Sequence, residues 1–172
     1  MSRNRNQVKS LPLSEIAYQR IKELIVTLTL GPGDQVDEDW VAKELSIGRT
    51  PIREALFRLN AENLVEVVHG RGFFVQDISL SSLKDLFETM LIMERAAVAL
   101  AAKRIKKDQI KDLRRINSDL RQAWLEKNFL QVTLLNSRFH RFIYKAADNS
   151  FLFSYLDNLQ NQSQRLAYMC FS

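Results

Sequence analysis

The chain has 172 residues, of which 46% are hydrophobic and 26% are charged. This is enough apolar material for one ordinary domain or two small ones. No apolar run approaches the roughly 20 residues that cross a bilayer, which excludes a membrane-spanning protein, and the polar start from Met1 to Lys9 carries no secretion signal. We therefore expect a cytoplasmic protein that does not associate with membranes. The chain has only one cysteine and two histidines, which are too few for most nucleophilic or metal-dependent catalytic sites. We therefore expect that the protein is not an enzyme.

The formal charge of +5 is unevenly distributed along the chain. Residues 1–76 contain ten basic and ten acidic residues, whereas residues 77–172 contain fifteen basic and ten acidic residues. Any nucleic-acid binding by the first half must therefore depend on the local placement of arginines and not on net charge.

Three short helices are predicted after a polar leader at residues 1–10. The first has Ser14 as a plausible cap and an apolar stripe that ends at Leu28, before the turn-forming residues 31–34. The second covers residues 38–45, with Trp40 among its inward-facing residues. The third follows a tight turn, with Thr50 as its cap and Pro51 at its first helical position.

The apolar periodicity then changes from helical to β-like. Two β-rich segments, residues 64–68 and 73–75, flank the glycine turn at residues 69–72 and predict a hairpin. Three helices followed by a hairpin, with a tight turn between the second and third helices, are typical of a winged helix-turn-helix.

From Ser79 onward the chain has no proline and no glycine. Four successive apolar stripes at helical spacing predict an antiparallel α-helical bundle. Five aromatic residues of these helices are expected in its core: Phe87, Trp124, Phe129, Phe139 and Phe142. The expected fold is therefore mainly α, with a winged helix-turn-helix at residues 11–77 and a helical bundle at residues 78–172.

The start of the third helix is the expected DNA-reading element. Arg49 and Arg53 lie four residues apart and so share one side of the helix, opposite its apolar stripe, and Thr50 can bond a phosphate. At the hairpin turn, His69, Gly70 and Arg71 would reach the adjacent minor groove or phosphates.

The segment from Leu45 to Leu59, LSIGRTPIREALFRL, and the later GRGFFV at residues 70–75 resemble the DNA-binding domain of the GntR family of bacterial transcription regulators. The helical remainder is similar to the FCD effector domain of the FadR-like branch. The resemblance implies a homodimer on a palindromic double-stranded DNA operator, with contacts from Arg49, Thr50, Arg53, His69, Gly70 and Arg71, and control by small carboxylates. Gly48 replaces the usual serine, and Asp39 replaces an arginine that contacts DNA in some relatives.

Asn136 and His140 share one helix face and could offer two ligands to a divalent metal ion. FCD domains that bind metal usually add two histidines from later helices. The resemblance thus implies a partial site for an ion of the zinc or nickel class, which needs further ligands, in an effector domain expected to be incomplete at its C-terminal end.

A second functional class stays open at this stage. The chain could be a helical interaction or metal-sensing module whose winged helix contacts protein and does not read DNA. Salt-dependent DNA affinity that is lost on replacement of Arg49 or Arg53 would separate the two hypotheses.

Overall fold

The computed structural model describes residues 11–171; the predicted polar leader and Ser172 lie outside the described residues. This part of the chain contains seven helices and one two-stranded antiparallel sheet. The elements in chain order are α1 (Leu13–Val26), α2 (Glu38–Leu45), α3 (Arg49–Ala61), β1 (Val65–Val68), β2 (Gly72–Val75), α4 (Leu80–Arg104), α5 (Lys107–Leu125), α6 (Phe129–Ala146) and α7 (Ser150–Phe171). The predicted winged helix-turn-helix and helical bundle are confirmed.

The described residues form two compact units that divide after Gln76, with residues 26–29 grouped with the second unit. The first unit has its own apolar core. Its largest fully buried aliphatic side chains come from α1, α2, α3 and the hairpin: Ile21, Ile25, Val41, Ile52, Leu56, Leu59, Leu64, Val65 and Val75. The periodic apolar positions of the sequence therefore face this core.

Two details of the first helices differ from expectation. Helix α1 begins at Leu13, because the carbonyl of Pro12 accepts the first helical hydrogen bonds at 2.9 and 3.1 Å, so Ser14 lies inside the first turn and is not the cap. The helix ends before Leu28, whose φ of 60° breaks the helical path. In α2, which has the predicted bounds, Trp40 is 43% exposed and does not face inward.

The hairpin register pairs Val65 with Val75 and Val68 with Gly72, so three residues, 69–71, connect the strands. An isolated antiparallel bridge joins Gln35 to Phe74 on the outer side of β2. The segment before α2 therefore pairs with the hairpin and covers an otherwise open sheet edge.

Helices α4 to α7 form the predicted bundle, with a core that includes Ala97, Ala101, Tyr144, Ala147 and Leu156. The aromatic assignments were partly wrong. Phe87, Trp124 and Phe129 are exposed, and Phe139 and Phe142 are only half-buried. Small residues make close helix contacts in this core, and the bulky rings lie nearer its margin.

Two connections between helices of the bundle, here called its corners, contain no glycine. Lys127, between α5 and α6, has a φ of 56°, and Asp148, between α6 and α7, has a φ of 47°. Both are non-glycine residues in the left-handed region at a helix exit. At the second corner, the Arg104 guanidinium donates to the carbonyls of Ala147 and Asp148 at 2.6 and 3.1 Å.

Candidate nucleic-acid interface

The N-terminal end of α3 is exposed and begins earlier than the sequence predicted. Gly48 is the N-cap, with extended backbone angles and no side-chain cap, and the helix starts at Arg49. Thr50 is therefore not the cap, and Pro51 is the third helical residue and not the first. Proline is tolerated there because the first N–H groups of a helix have no partner within the helix.

Helix α3 presents two opposite sides. Ile52, Leu56 and Leu59 are fully buried, whereas Arg49 and Arg53 project outward with side chains 67% and 61% exposed. The apolar side fixes the helix on the core while the arginine side remains accessible. This is the orientation that the spacing of the two arginines predicts.

Two acidic residues of α2 contact these arginines. Nη2 of Arg49 lies 2.7 Å from Oδ1 and 2.9 Å from Oδ2 of Asp39. Arg53 donates to Glu38 through Nε at 2.6 Å and through Nη2 at 3.3 Å. The hydrogen bond with Glu38 raises the pKa of Arg53 above its ordinary value, because it favours the charged guanidinium.

Neither ion pair was predicted from the sequence, where Asp39 counted only as the loss of a possible DNA contact and Glu38 had no assigned role. A usable signal was available, since a helix-turn-helix brings the first turn of its first helix close to the start of its second. The N-cap Asp37 fixes that turn, because its Oδ1 accepts from the backbone N–H groups of Asp39 and Trp40.

The hairpin turn carries the other predicted DNA-binding residues. Gly70 has a φ of 73° and Gly72 a φ of 99°, conformations that L side chains rarely adopt. The side-chain amide of Gln35 donates to the carbonyl of Arg71 at 2.9 Å. The Arg71 guanidinium lies 5.1 Å from the centre of the Phe74 ring, within the range of a cation–π contact.

Three of the predicted residues, Arg49, Arg53 and Arg71, line one open cleft of about 390 Å³. Glu38 and Asp39 line the same cleft. The three other predicted residues are exposed but are not part of its lining: Thr50, His69 and Gly70. The first unit thus presents three guanidinium groups, from a helix start and a wing tip, on one surface.

In the second unit, Asn136 and His140 line a cavity of about 260 Å³ together with Glu94 and Gln160. Nδ1 of His140 lies 3.0 Å from Oε1 of Glu94, and the Tyr144 hydroxyl donates to the same oxygen. These two contacts lower the pKa of Glu94 below its ordinary value, His140 having the larger effect, against the opposing effect of burial. Burial, and then Glu94, raise the pKa of Tyr144.

These residues do not complete a metal site. Asn136 and His140 supply an amide oxygen and an imidazole nitrogen, but residues 11–171 contain no group of three or more histidine, cysteine or acidic side chains placed to hold an ion. The partial site therefore stays a prediction. Glu94 could not be recognised from the sequence as the partner of His140, because it lies 46 positions earlier, on another helix.

No helix among residues 11–171 is long and apolar enough to cross a membrane. A helix-turn-helix followed by a hairpin wing makes this chain a winged-helix protein, with a helical bundle as its second unit. The first unit matches the model of "Bacterial regulatory proteins, gntR family" over residues 13–75, and the second matches the FCD domain over residues 85–172. The chain belongs to the GntR family of bacterial regulatory proteins and carries an FCD domain.

Characterised relatives are transcription regulators. The Nta operon transcriptional regulator of Aminobacter aminovorans is 35% identical over 91 residues, which are 53% of this chain and 43% of that protein. The transcriptional repressor RspR of Escherichia coli K12 is 26% identical over 160 residues, 93% of this chain and 70% of that protein. The chain thus spans less than half of the first relative's length.

The structure of E. coli McbR has the same fold, with a TM-score of 0.83 at 23% identity over 93% of this chain and 76% of that one. At this identity the similarity establishes the fold and not the function. A second solved structure, a GntR-type regulator from Rhodococcus, superposes with a TM-score of 0.71 at 15% identity and covers 91% of this chain and 74% of that one.

Proposed function

We propose that this protein is a sequence-specific DNA-binding transcription regulator that acts in the bacterial cytoplasm. The observation that carries the proposal is the convergence of Arg49 and Arg53 from α3 with Arg71 from the wing on one cleft. Arginine forks bond two acceptors on guanine or clamp a phosphate, and a helix start adds backbone donors and a partial positive charge.

The proposed contacts divide between two grooves. The start of α3 enters the major groove, where Arg49 reads a base edge and Arg53 and Thr50 meet the backbone. The wing tip, with His69, Gly70 and Arg71, follows the adjacent minor groove or its phosphates. Because the first 76 residues carry no net charge, we expect selectivity to depend on these few contacts and the salt dependence to be moderate.

We propose further that two copies bind a palindromic operator, one recognition helix in each half-site, with the half-sites one helical turn apart. The exposed apolar residues of α4 support a self-association surface. Leu91, Ile92 and Val98 are each more than half exposed, and single-chain proteins rarely leave such clusters uncovered. Sedimentation of the wild type and of Ile92→Glu tests this. The wild type should sediment as a dimer and the variant as a monomer. A variant that still sediments as a dimer would show that α4 does not form the interface.

The second unit is proposed as the effector-responsive part, with small carboxylic acids as the ligand class. Its cavity offers donors from Asn136, His140, Gln160 and Ser163, although Glu94 opposes an anion there. Thermal unfolding with a panel of small carboxylates, with and without Zn²⁺ or Ni²⁺, tests both ligand and metal. We expect a concentration-dependent rise in the midpoint that Glu94→Gln or His140→Ala alters, and no shift with any compound would contradict the assignment.

The test of DNA reading begins with selection of binding sequences from a random duplex pool. The enriched duplex is then titrated by fluorescence anisotropy at several salt concentrations, beside random DNA of equal length. Replacing both Arg49 and Arg53 by alanine should abolish the preference for the enriched duplex. The matched control is Arg20→Ala, because Arg20 is an exposed arginine of α1 that pairs with Glu23 and lies outside the cleft.

The competing hypothesis, a winged helix that contacts protein, predicts the opposite result. The pool would then yield no enriched sequence, and wild type and the double variant would bind all DNA equally. Selective binding that is lost in the double variant but kept in Arg20→Ala would exclude this alternative.

A further inference from the structure

The two arginines of α3 are held by their acidic partners in different ways. Asp39 contacts Arg49 through both carboxylate oxygens, but only at Nη2. Glu38 contacts Arg53 along the edge formed by Nε and Nη2. Among the described residues, Nε and Nη1 of Arg49 have no hydrogen-bond partner.

This difference determines which N–H donors each arginine keeps while it stays paired. Bidentate recognition of guanine requires two N–H donors that point the same way toward O6 and N7. Nη2 belongs to both forks of a guanidinium and carries two N–H groups. Arg49 gives one of these to Asp39, and the other still forms a fork with Nε or Nη1. Arg53 has the edge of Nε and Nη2 occupied by Glu38, and only the fork of Nη1 with the second N–H of Nη2 remains.

We propose that Asp39 is a positioning and specificity-determining residue that orients Arg49 for guanine and disfavours binding to the DNA backbone alone. The inference rests on the proposed DNA-binding function. In a selective complex, Arg49 reads guanine without leaving Asp39. In a non-selective complex, the free donors of Arg49 would meet a phosphate instead, and the Asp39 carboxylate beside them repels that phosphate.

The structure allows this role to be tested without disturbing the fold. Asp37, and not Asp39, supplies the side-chain cap of α2. The Asp39 side chain is 55% exposed, and Arg49 is its partner. Asp39→Asn removes the charge and nearly preserves the shape, so the variant should fold, and circular dichroism with thermal unfolding verifies this.

The control is Glu44→Gln. Glu44 is an exposed acid on the same helix and does not line the arginine cleft. Both substitutions remove one negative charge from the same unit. A general charge effect should therefore appear equally in both variants, whereas the loss of positioning should appear only in Asp39→Asn.

Dissociation constants are measured for the duplex that the wild type selects and for random duplex, at several salt concentrations. For Asp39→Asn we expect tighter binding to random DNA and a fall of about tenfold in the ratio of selective to random affinity. Selection repeated with Asp39→Asn should show a weakened guanine preference at the position where Arg49→Ala also loses it. For Glu44→Gln the ratio should remain that of the wild type.

The outcomes separate this inference from the function on which it rests. A selective wild type with an Asp39→Asn ratio within twofold of it would overturn the role of Asp39 and leave the regulator proposal intact. A fall of the same size in Glu44→Gln would also overturn it, because net charge would then be the cause. A wild type that selects no sequence would overturn the proposed function and this inference together.

Discussion

The side-chain amide of Gln35 donates a hydrogen bond to the backbone carbonyl of Arg71 across 36 residues. The same segment pairs with the hairpin through its backbone, since the N–H of Val36 donates to the carbonyl of Phe73 at 2.8 Å. A single side chain outside the hairpin thus holds the wing turn at the residue that carries its arginine. The position of the wing depends on the segment before α2 as well as on its own strands.

Replacing Gln35 by alanine should loosen the wing turn. The carbonyl of Arg71 would lose its side-chain partner. The loss in unfolding free energy should be on the order of 1 kcal/mol, because a water molecule can replace that hydrogen bond. Amide hydrogen exchange at residues 69–72 should become faster, while exchange in α3 stays unchanged. Gln19→Ala is the control, because Gln19 is an exposed glutamine of α1 that bonds Glu15. Unchanged exchange at the turn would show that the backbone pairing alone fixes it.

Replacing Gly48 by serine should stabilise the first unit. Gly48 is the N-cap of α3, has the extended angles that capping residues adopt, and has no atom within 4 Å of the position of a new Cβ. A serine oxygen would accept from the N–H of Thr50, since Pro51 has none. We expect a gain of a few tenths of a kcal/mol, or a rise of roughly 1 to 2 °C in the unfolding midpoint.

The control for this prediction is Gly48→Ala, which adds a Cβ but no acceptor. Alanine should leave the midpoint unchanged or lower it, because it is a poor N-cap. Equal midpoints for the serine and alanine variants would show that no capping hydrogen bond forms.

Leu56→Ala should strongly destabilise the first unit. Leu56 is fully buried, so the substitution removes apolar contacts and leaves a cavity, at a cost of roughly 2 to 5 kcal/mol in the free energy of unfolding. Its neighbour Phe57 is 57% exposed and makes an edge-to-face contact with Phe73, with 5.3 Å between the two ring centres. Phe57→Ala should therefore cost less than half as much in urea unfolding. Similar losses for the two variants would contradict the orientation of α3.

The contact between Tyr144 and Glu94 should be measurable as a coupling energy. Tyr144 is buried and donates to Glu94, so Tyr144→Phe removes a hydrogen bond to a charged acceptor and should cost about 1 to 3 kcal/mol. Tyr144→Phe should cost less in a protein in which Glu94 has already been replaced by glutamine. A double-mutant cycle in urea measures the difference, and strictly additive losses would show that the two side chains do not interact in solution.

Most of the fold could be predicted from the sequence, because helices and strands bury apolar residues at fixed periods. The bounds of α2 matched expectation, and the hairpin turn did so to within one residue, since Gly72 begins β2 and does not belong to the turn. The start of α3 was misplaced by two residues, because the glycine before it carries no capping side chain that would identify it. Exposure of Trp124 was also missed, since periodicity shows that a stripe is apolar but not how deeply each ring is buried.

The candidate site was only partly predictable. The spacing of Arg49 and Arg53 places them on one side of a helix, but nothing local to α3 indicates that acids of α2 contact them. Such pairs depend on how two helices pack, and sequence spacing within one helix carries no information about it. The same holds for Glu94, which meets His140 from another helix of the bundle.

The two corners of the bundle also affect the stability of the second unit. Lys127 and Asp148 adopt backbone angles that cost a residue with a Cβ on the order of 1 kcal/mol each. A glycine at either corner would relieve that strain, although it would also add freedom to the unfolded chain. These two corners are therefore positions in the second unit where a glycine would set the relief of backbone strain directly against the freedom it adds to the unfolded chain.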